Sequence, residues 1–534
     1  MARRFRYGAF GVAVLAAVSA AACTGPASDS GTGGGGGKSA INVYLYQEPA
    51  GIFSPLAPSS GPDNQVMSML DQSLLAVDPD YRLQPQLAQS FEVSPDAKTF
   101  TFHLRPGLKW SDGQPLTAQD VLFTYRLLAD PKSTSATAGS YAAVEGVSDF
   151  VKGKAKTISG FSAPDDNTFV IKAAKPDIGL LAQVGIAYVA PKHILGDVPV
   201  AQVAKNAYFR APTVTSGPYK FVEYKTNQYV HVTASPTYRS PAKIKDVYLK
   251  PMTSDVATAQ LGNGGMDIAS FSPADLSTVK GFGDIAVQEK AGAGFVRIAL
   301  NQTKSYFKDV RVRQAFLYAV DRKTLVDKVL AGKATVQNSD FFGANTPQGI
   351  NEYGYDPAKA KSLLAAAGWD PNRTVELQWV PGQRDRDATT TIVQSQLAAV
   401  GVKVKLKQIQ GAQIAGTYDK KSYDMTLYGG GNYAVDSWNV NVIATCDQRY
   451  PTGGNIDWFC DKKLDEQLTK ANSIADTTQR KAAYDQAVLE ENSQADLMWL
   501  YDPTGLWAVN KKIKGFQAAG SQDSAFWNPA GWSL

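Results

Sequence analysis

Ser94–Leu128 reads SPDAKTFTFHLRPGLKWSDGQPLTAQDVLFTYRLL, and its residue types change their period twice. From Thr99 to Arg105 the chain alternates. Phe100, Phe102 and Leu104 point one way and Thr101 and His103 the other, the pattern of a half-buried strand. Ser111-Asp112-Gly113 then supplies residues that tolerate a backbone reversal. Thr117 stands three residues before Asp120, a spacing that lets the two side chains cap a helix start reciprocally. Val121, Leu122, Tyr125 and Leu128 follow on one helical face. The stretch predicts strand, tight turn and capped helix.

In this wording the stretch resembles the large solute-binding proteins of peptide-type ABC importers, the bacterial extracellular solute-binding proteins of family 5. Thr215-Ser216-Gly217-Pro218-Tyr219 is similar to a Ser/Thr-Gly-Pro-Tyr turn of that family. Val312-Arg313-Gln314-Ala315-Phe316 and Ala319-Val320-Asp321-Arg322 resemble it again. The resemblance runs from Ile41 to Gly515. It implies an α/β protein of the periplasmic-binding-protein-like type II fold, with two lobes, a hinge and an accessory subdomain. On that basis residues 41–67, 190–292 and 505–534 are expected to form lobe I. Residues 68–189 would form its accessory subdomain, and residues 293–504 lobe II.

The chain has 534 residues, too many for one hydrophobic core. Lys+Arg minus Asp+Glu is 54 − 49 = +5. Arg3, Arg4 and Arg6 lie in a segment expected to be removed, which leaves 51 − 49 = +2. Nothing in that balance calls for nucleic acid.

Residues 1–22 read as a signal peptide, with a basic start and an apolar, small-residue stretch from Ala9 to Ala22 that is short for a membrane span. Ala20-Ala21-Ala22 precedes Cys23, which resembles a bacterial lipobox with Ala20 where Leu is usual. Cys23 is therefore expected to carry a lipid, and residues 24–40, rich in Gly and Ser, to form a flexible tether. The plain alternative is ordinary cleavage and secretion. Gly37-Lys38-Ser39 imitates the end of a phosphate-binding loop, but the first glycine would fall at Thr32 and no strand precedes it.

Beyond the tether, strands are expected at Ile41–Tyr46, Thr168–Lys172, Tyr219–Tyr224, Tyr229–Ala234, Lys245–Pro251 and Phe295–Asn301. Asp321 reads as the cap of a helix with Leu325, Val326, Val329 and Leu330 on one face, closed by Gly332. Asp356-Pro357 opens another helix. Val375–Val380, Ala388–Val400 and Val402–Lys407 read as strand, helix and strand, a β/α unit. The second strand alternates Val402, Val404 and Leu406 with Lys403, Lys405 and Lys407, which suits a sheet edge. Met425–Tyr428 is a strand leading to Gly429-Gly430-Gly431. The tail carries Trp507, Phe516, Trp527 and Trp532, enough aromatic surface to dock back on lobe I.

Cys446 and Cys460 are close in sequence in a chain expected outside the cytoplasm, which suggests a disulfide; the alternative is two buried thiols. Dipeptide-binding relatives have a similar local pair, followed by an Asn-containing strand (here Asn455) and an amphipathic helix (Leu464–Ala471). His103, His193 and His231 are far apart and form no zinc pattern with cysteine. There is no Gly-x-Ser-x-Gly elbow and no His-Glu-x-x-His. No catalytic residue, metal site or cofactor is expected.

For a ligand, the resemblance points to two stretches, and a third lies nearby. Trp379-Val380-Pro381-Gly382-Gln383-Arg384 matches a Gln-Arg in dipeptide binders whose arginine faces the ligand carboxylate. Arg384 is the candidate for that role, with Trp379 beside it; a solvated loop arginine next to Asp385, Arg386 and Asp387 is the bland alternative. Gly429–Trp438 matches the segment where peptide-binding relatives hold an Asp against the ligand ammonium. Here the matching position is Asn432 or Tyr433, while Asp436 matches a different aspartate. Tyr433 and Trp438 could stack on a sugar or an aromatic ligand. Gln47-Glu48-Pro49 falls near the cleft.

The expectation is a monomeric substrate-binding lipoprotein of an ABC importer, outside the cytoplasm, that captures short peptides and delivers them to a membrane permease without chemistry. Binding of an oligosaccharide or other non-peptide solute is the alternative within that class. A secreted glycan-acting enzyme, or a surface adhesion or signalling protein, belongs to other classes.

Overall fold

The computed structural model describes residues 40–57, 61–135, 137–292, 294–340, 346–431, 439–451, 453–474, 476–520 and 524–534. The signal peptide, Cys23 and the tether as far as residue 39 lie outside the described residues, as does the 432–438 segment.

The opening stretch folds as its periods dictate. Strand Thr99–Leu104 alternates between half-buried and buried positions. It pairs antiparallel with Ala88–Val93 on one side and Thr168–Lys172 on the other. The Trp110 N–H donates to Gln114 O at 2.8 Å, closing the Ser111–Gly113 turn, and Gly113 takes φ +90°. Thr117 Oγ1 accepts from the Gln119 N–H at 3.2 Å and Asp120 Oδ2 from the Thr117 N–H at 2.9 Å, so helix Ala118–Ala129 starts reciprocally capped. Val121, Leu122, Tyr125 and Leu128 are all buried in the accessory core.

Among the described residues, three larger sheets organise the chain, beside a two-stranded ribbon of Leu75–Val77 with Leu83–Pro85. The first has seven strands, in the spatial order Ile285–Lys290, Gly505–Asn510, Ile268–Ser270, Ala40–Leu45, Asp246–Pro251, Tyr229–Ala234, Tyr219–Lys225. The unit on this sheet is called lobe I below. A four-stranded sheet, Ala88–Val93, Thr99–Leu104, Thr168–Lys172 and Phe161–Asp165, carries the accessory unit. The third has six strands: Ala334–Val336, Leu497–Pro503, Gly294–Leu300, Met425–Gly431, Thr374–Trp379 and Lys403–Gln408. It is the frame of lobe II. Lys403–Gln408 is its outermost strand, with Lys403 and Lys405 exposed, so the edge presents charge where another chain could pair.

The C-terminal aromatics join lobe I. Trp507 lies in its sheet, Phe516 packs between Trp507 and Trp532, and all three are buried. Trp527 instead stays half-buried, with Nε1 donating to Gln517 Oε1 at 3.2 Å.

Three local expectations are corrected. After Asp321 the helix keeps normal winding only over Arg322–Thr324; Leu325–Val329 is wider, with the Leu330 N–H reaching back to Leu325 O at 3.2 Å. Gly429–Gly431 continues the strand rather than ending it, because the facing strand pairs on through Val296, Phe295 and Gly294. Asn455 makes only an isolated parallel bridge, with Arg449, rather than a strand. Its buried Nδ2 donates to Thr445 O and Phe459 O, both at 3.0 Å, and so cross-links the loop that the Cys446–Cys460 disulfide closes.

The Ser216-Gly217 turn is structural. Asp71 Oδ1 accepts from the Ser216 N–H at 3.2 Å, and the Gly217 N–H donates to Leu70 O at 2.7 Å. A Cβ at Gly217 would lie 2.6 Å from the Met69 and Leu70 backbone, so only glycine fits.

Candidate functional site

The chain passes between the lobes from strand Ile285–Lys290 to strand Gly294–Leu300 and again at residues 503–505, and the two crossings touch. Lys290 pairs with Gly505, and the Gly294 N–H donates to Asp502 Oδ1 at 2.9 Å. A cavity opens beside them. Tyr44, Tyr46, Ser270, Phe271 and Trp507 line it from lobe I; Val296, Leu330, Arg384, Asp385, Arg386, Gly429 and Gly430 line it from lobe II. Tyr44 reaches it because Ala40–Leu45 alternates, burying Ile41, Val43 and Leu45 on the opposite face.

The lobe II wall is the first turn of helix Arg384–Ala399. The loop before it is held by Asp387, which accepts from Trp379 Nε1 at 2.7 Å and from the Gly382 N–H at 3.2 Å. Arg384 reaches across to lobe I, with Nη2 2.9 Å from Asp255 Oδ1 and Nη1 2.9 Å from Asp275 Oδ1. Arg386 lies over the glycine strand: a Cβ at Gly429 would come within 2.6 Å of Arg386 Nη2 and of Phe295 O. Arg386 Nε is buried with no hydrogen-bond partner. Burial pushes the Asp385 carboxyl up, and the neighbouring Arg386 charge opposes that rise. Burial also raises the Tyr44 hydroxyl, reinforced by the carboxylates of Asp255 and Asp385, one from each lobe.

Of the residues expected at the ligand, Arg384 lines the cavity. Trp379 is buried in the lobe II core. Gln47 is half-buried at the lobe boundary, its amide 3.7 Å from where a Gly411 Cβ would stand. Glu48 Oε1 accepts from the Tyr224 hydroxyl and from the Asn227 N–H, which ties it to the Tyr219–Ala234 hairpin. Asn432, Tyr433, Asp436 and Trp438 lie outside the described residues. Sequence reasoning missed Tyr44, Arg386, Asp255 and Asp275. Alternation in the first strand could have singled out Tyr44; no local signal marks the aspartates.

Among the described residues, no cluster of three or more His, Cys, Asp or Glu side chains could hold a metal ion, and no helix is long and apolar enough to cross a membrane.

Two α/β lobes joined by paired crossings, with a charged cavity between them, define the class of hinged solute-binding proteins. The chain belongs to the bacterial extracellular solute-binding proteins, family 5, whose middle-region model matches residues 82–450. It is 26% identical to the dipeptide-binding protein of Escherichia coli over 465 residues, 81% of this chain and 83% of that one. It is 25% identical to the oligopeptide-binding protein AppA of Bacillus subtilis over 484 residues, 87% of each. The solved structure of AppA, in complex with a nonapeptide, superposes with a TM-score of 0.83 over 93% of this chain and 98% of that one. NikZ of Campylobacter jejuni, in complex with Ni(L-His), is 24% identical and reaches 0.81 over 93% of this chain and 100% of that one.

Proposed function

We propose that the protein is the substrate-binding component of an ABC importer, that it performs no chemistry, and that it captures short peptides in the interlobe cavity. The observation that carries this reading is the pair Asp385–Arg386 on one cavity wall, opposite Tyr44 and Trp507. A peptide offers an ammonium, a carboxylate and apolar side chains, which such a wall can match. The relatives named for dipeptides and oligopeptides support the same class. We assign the ligand carboxylate to Arg386 in place of Arg384, because the Arg384 guanidinium already meets two carboxylates while Arg386 Nε meets none. Gln47 and Glu48 at the lobe boundary, Trp379 behind the loop, and Asn432, Tyr433, Asp436 and Trp438 on sequence grounds complete the proposed site. A lipid on Cys23 would hold the chain at the outer face of the cell membrane, beside a permease.

A second reading, a non-peptide solute, is favoured by NikZ, whose structure shares the fold and holds Ni(L-His). Native mass spectrometry of the purified protein, before and after denaturing release, separates the two. A co-purifying peptide series supports peptide capture; a single non-peptide mass overturns it.

A further inference from the structure

We infer that Arg384 is a closure clasp, a positioning residue that holds the two lobes together from beside the ligand. Its guanidinium leaves the first turn of a lobe II helix and forks to two carboxylates on separate lobe I elements. Asp255 stands in the first turn of helix Ser254–Gly262, and Asp275 ends the short turn Pro273–Asp275. A planar fork meeting two fixed acceptors defines one orientation of the lobes, not merely their proximity. Hinge opening must break both contacts together.

The two contacts are unequal. The Asp255 side chain is 61% exposed and that of Arg384 47%, so water and salt screen that pair. The Asp275 side chain is 13% exposed, and this contact carries the greater part. Lobe closure gains free energy from groups that belong to the protein, whatever solute is bound. A ligand that needs the closed form binds with an apparent affinity scaled by the closed population. The clasp therefore multiplies affinity for every ligand by one common factor and leaves selectivity to the cavity wall.

This rests on the closing-cleft reading but not on the ligand being a peptide, so the test starts without ligand. Small-angle X-ray scattering of the purified protein is compared with Asp275→Asn, Arg384→Gln and the double variant, at low and high salt. Arg384 is half exposed and Asp275→Asn preserves the shape of its side chain, so these changes leave the cores intact, which circular dichroism checks. Each single variant should show a larger radius of gyration than the wild type at low salt. The double variant should be no larger than the singles, and the wild type should approach them at high salt. Equal radii at low salt overturn the clasp. The second readout is the affinity for trialanine and for its C-terminal amide. Arg384→Gln should weaken both by the same factor, about three- to tenfold. A loss confined to the free carboxylate would make Arg384 a ligand contact and overturn the inference. Mass spectrometry finding a non-peptide solute would overturn the peptide reading and leave the scattering result standing.

Discussion

Trp379 donates its indole N–H to Asp387 Oδ1 at 2.7 Å, while Asp387 Oδ2 accepts from the Gly382 N–H at 3.2 Å. One carboxylate thus ties the last residue of a core strand to the loop that delivers Arg384, Asp385 and Arg386. Asp387→Ala leaves the buried indole N–H unpaired, a cost of about 1–3 kcal/mol. Urea denaturation should show that loss. Calorimetric titration with a bound peptide should show weaker affinity as well, because the cavity wall is no longer fixed.

Gly429 leaves no room for a side chain. A methyl group would press on Arg386 and on the Phe295 carbonyl, and that carbonyl belongs to a paired strand that cannot yield cheaply. Gly429→Ala should destabilise the protein by about 1–3 kcal/mol. It should also reduce ligand affinity by displacing Arg386, whereas the same change at the open Gly416 should do neither. Thermal shift with and without ligand separates the two variants.

Asp71 makes stability depend on pH. Burial raises its carboxyl to about 7, against the opposing hydrogen bonds from Ser216. Unfolded, it titrates near ~4. Between those values the folded state holds a proton that the unfolded state lacks. The stability present below pH ~4 is therefore lost as pH rises to about 7, by roughly 4 kcal/mol at most. Asp71→Asn should flatten this part of the profile and exceed the wild type in stability above neutrality. Urea midpoints across the range provide the check.

Arg297 is buried among Phe295, Tyr428 and Trp499, 4.1, 4.8 and 4.5 Å from their ring centres. Its charge opposes the burial that pushes up the carboxyls of Asp457 and Asp496. Arg297→Met keeps the volume and removes the charge, which should destabilise the protein because nothing then opposes the burial of those carboxyls. Adding Asp457→Asn should restore part of that. If the two changes simply add in denaturation experiments, the electrostatic account is wrong.

The accessory unit was legible because its signals are local. Alternation at Thr99–Leu104 and the Thr117/Asp120 spacing each fix an element within a few residues. The aromatic tail was legible for another reason: Trp507, Phe516 and Trp532 have too much apolar surface to stay in water. The side of the sheet that Trp379 faces was not legible, because it ends a strand with lobe II neighbours on both sides, where Leu377, Gln378 and Trp379 are buried in succession and alternation no longer distinguishes the faces. The contacts of Arg384 were invisible for want of any local pattern, since Asp275 lies 109 residues away in the chain.

The two crossings between the lobes have a mechanical consequence. A single linker would leave lobe II free to swivel and twist. Here two strands, Gly294–Leu300 and Leu497–Pro503, run antiparallel out of the same seam, bonded to each other at its edge. They act as a door hung on two pins: bending about one axis is easy, while torsion would shear the hydrogen bonds between them. On the proposed closing of the cleft, lobe II would therefore return along one path, and side chains more than a hundred residues apart would meet in register without having to search for one another.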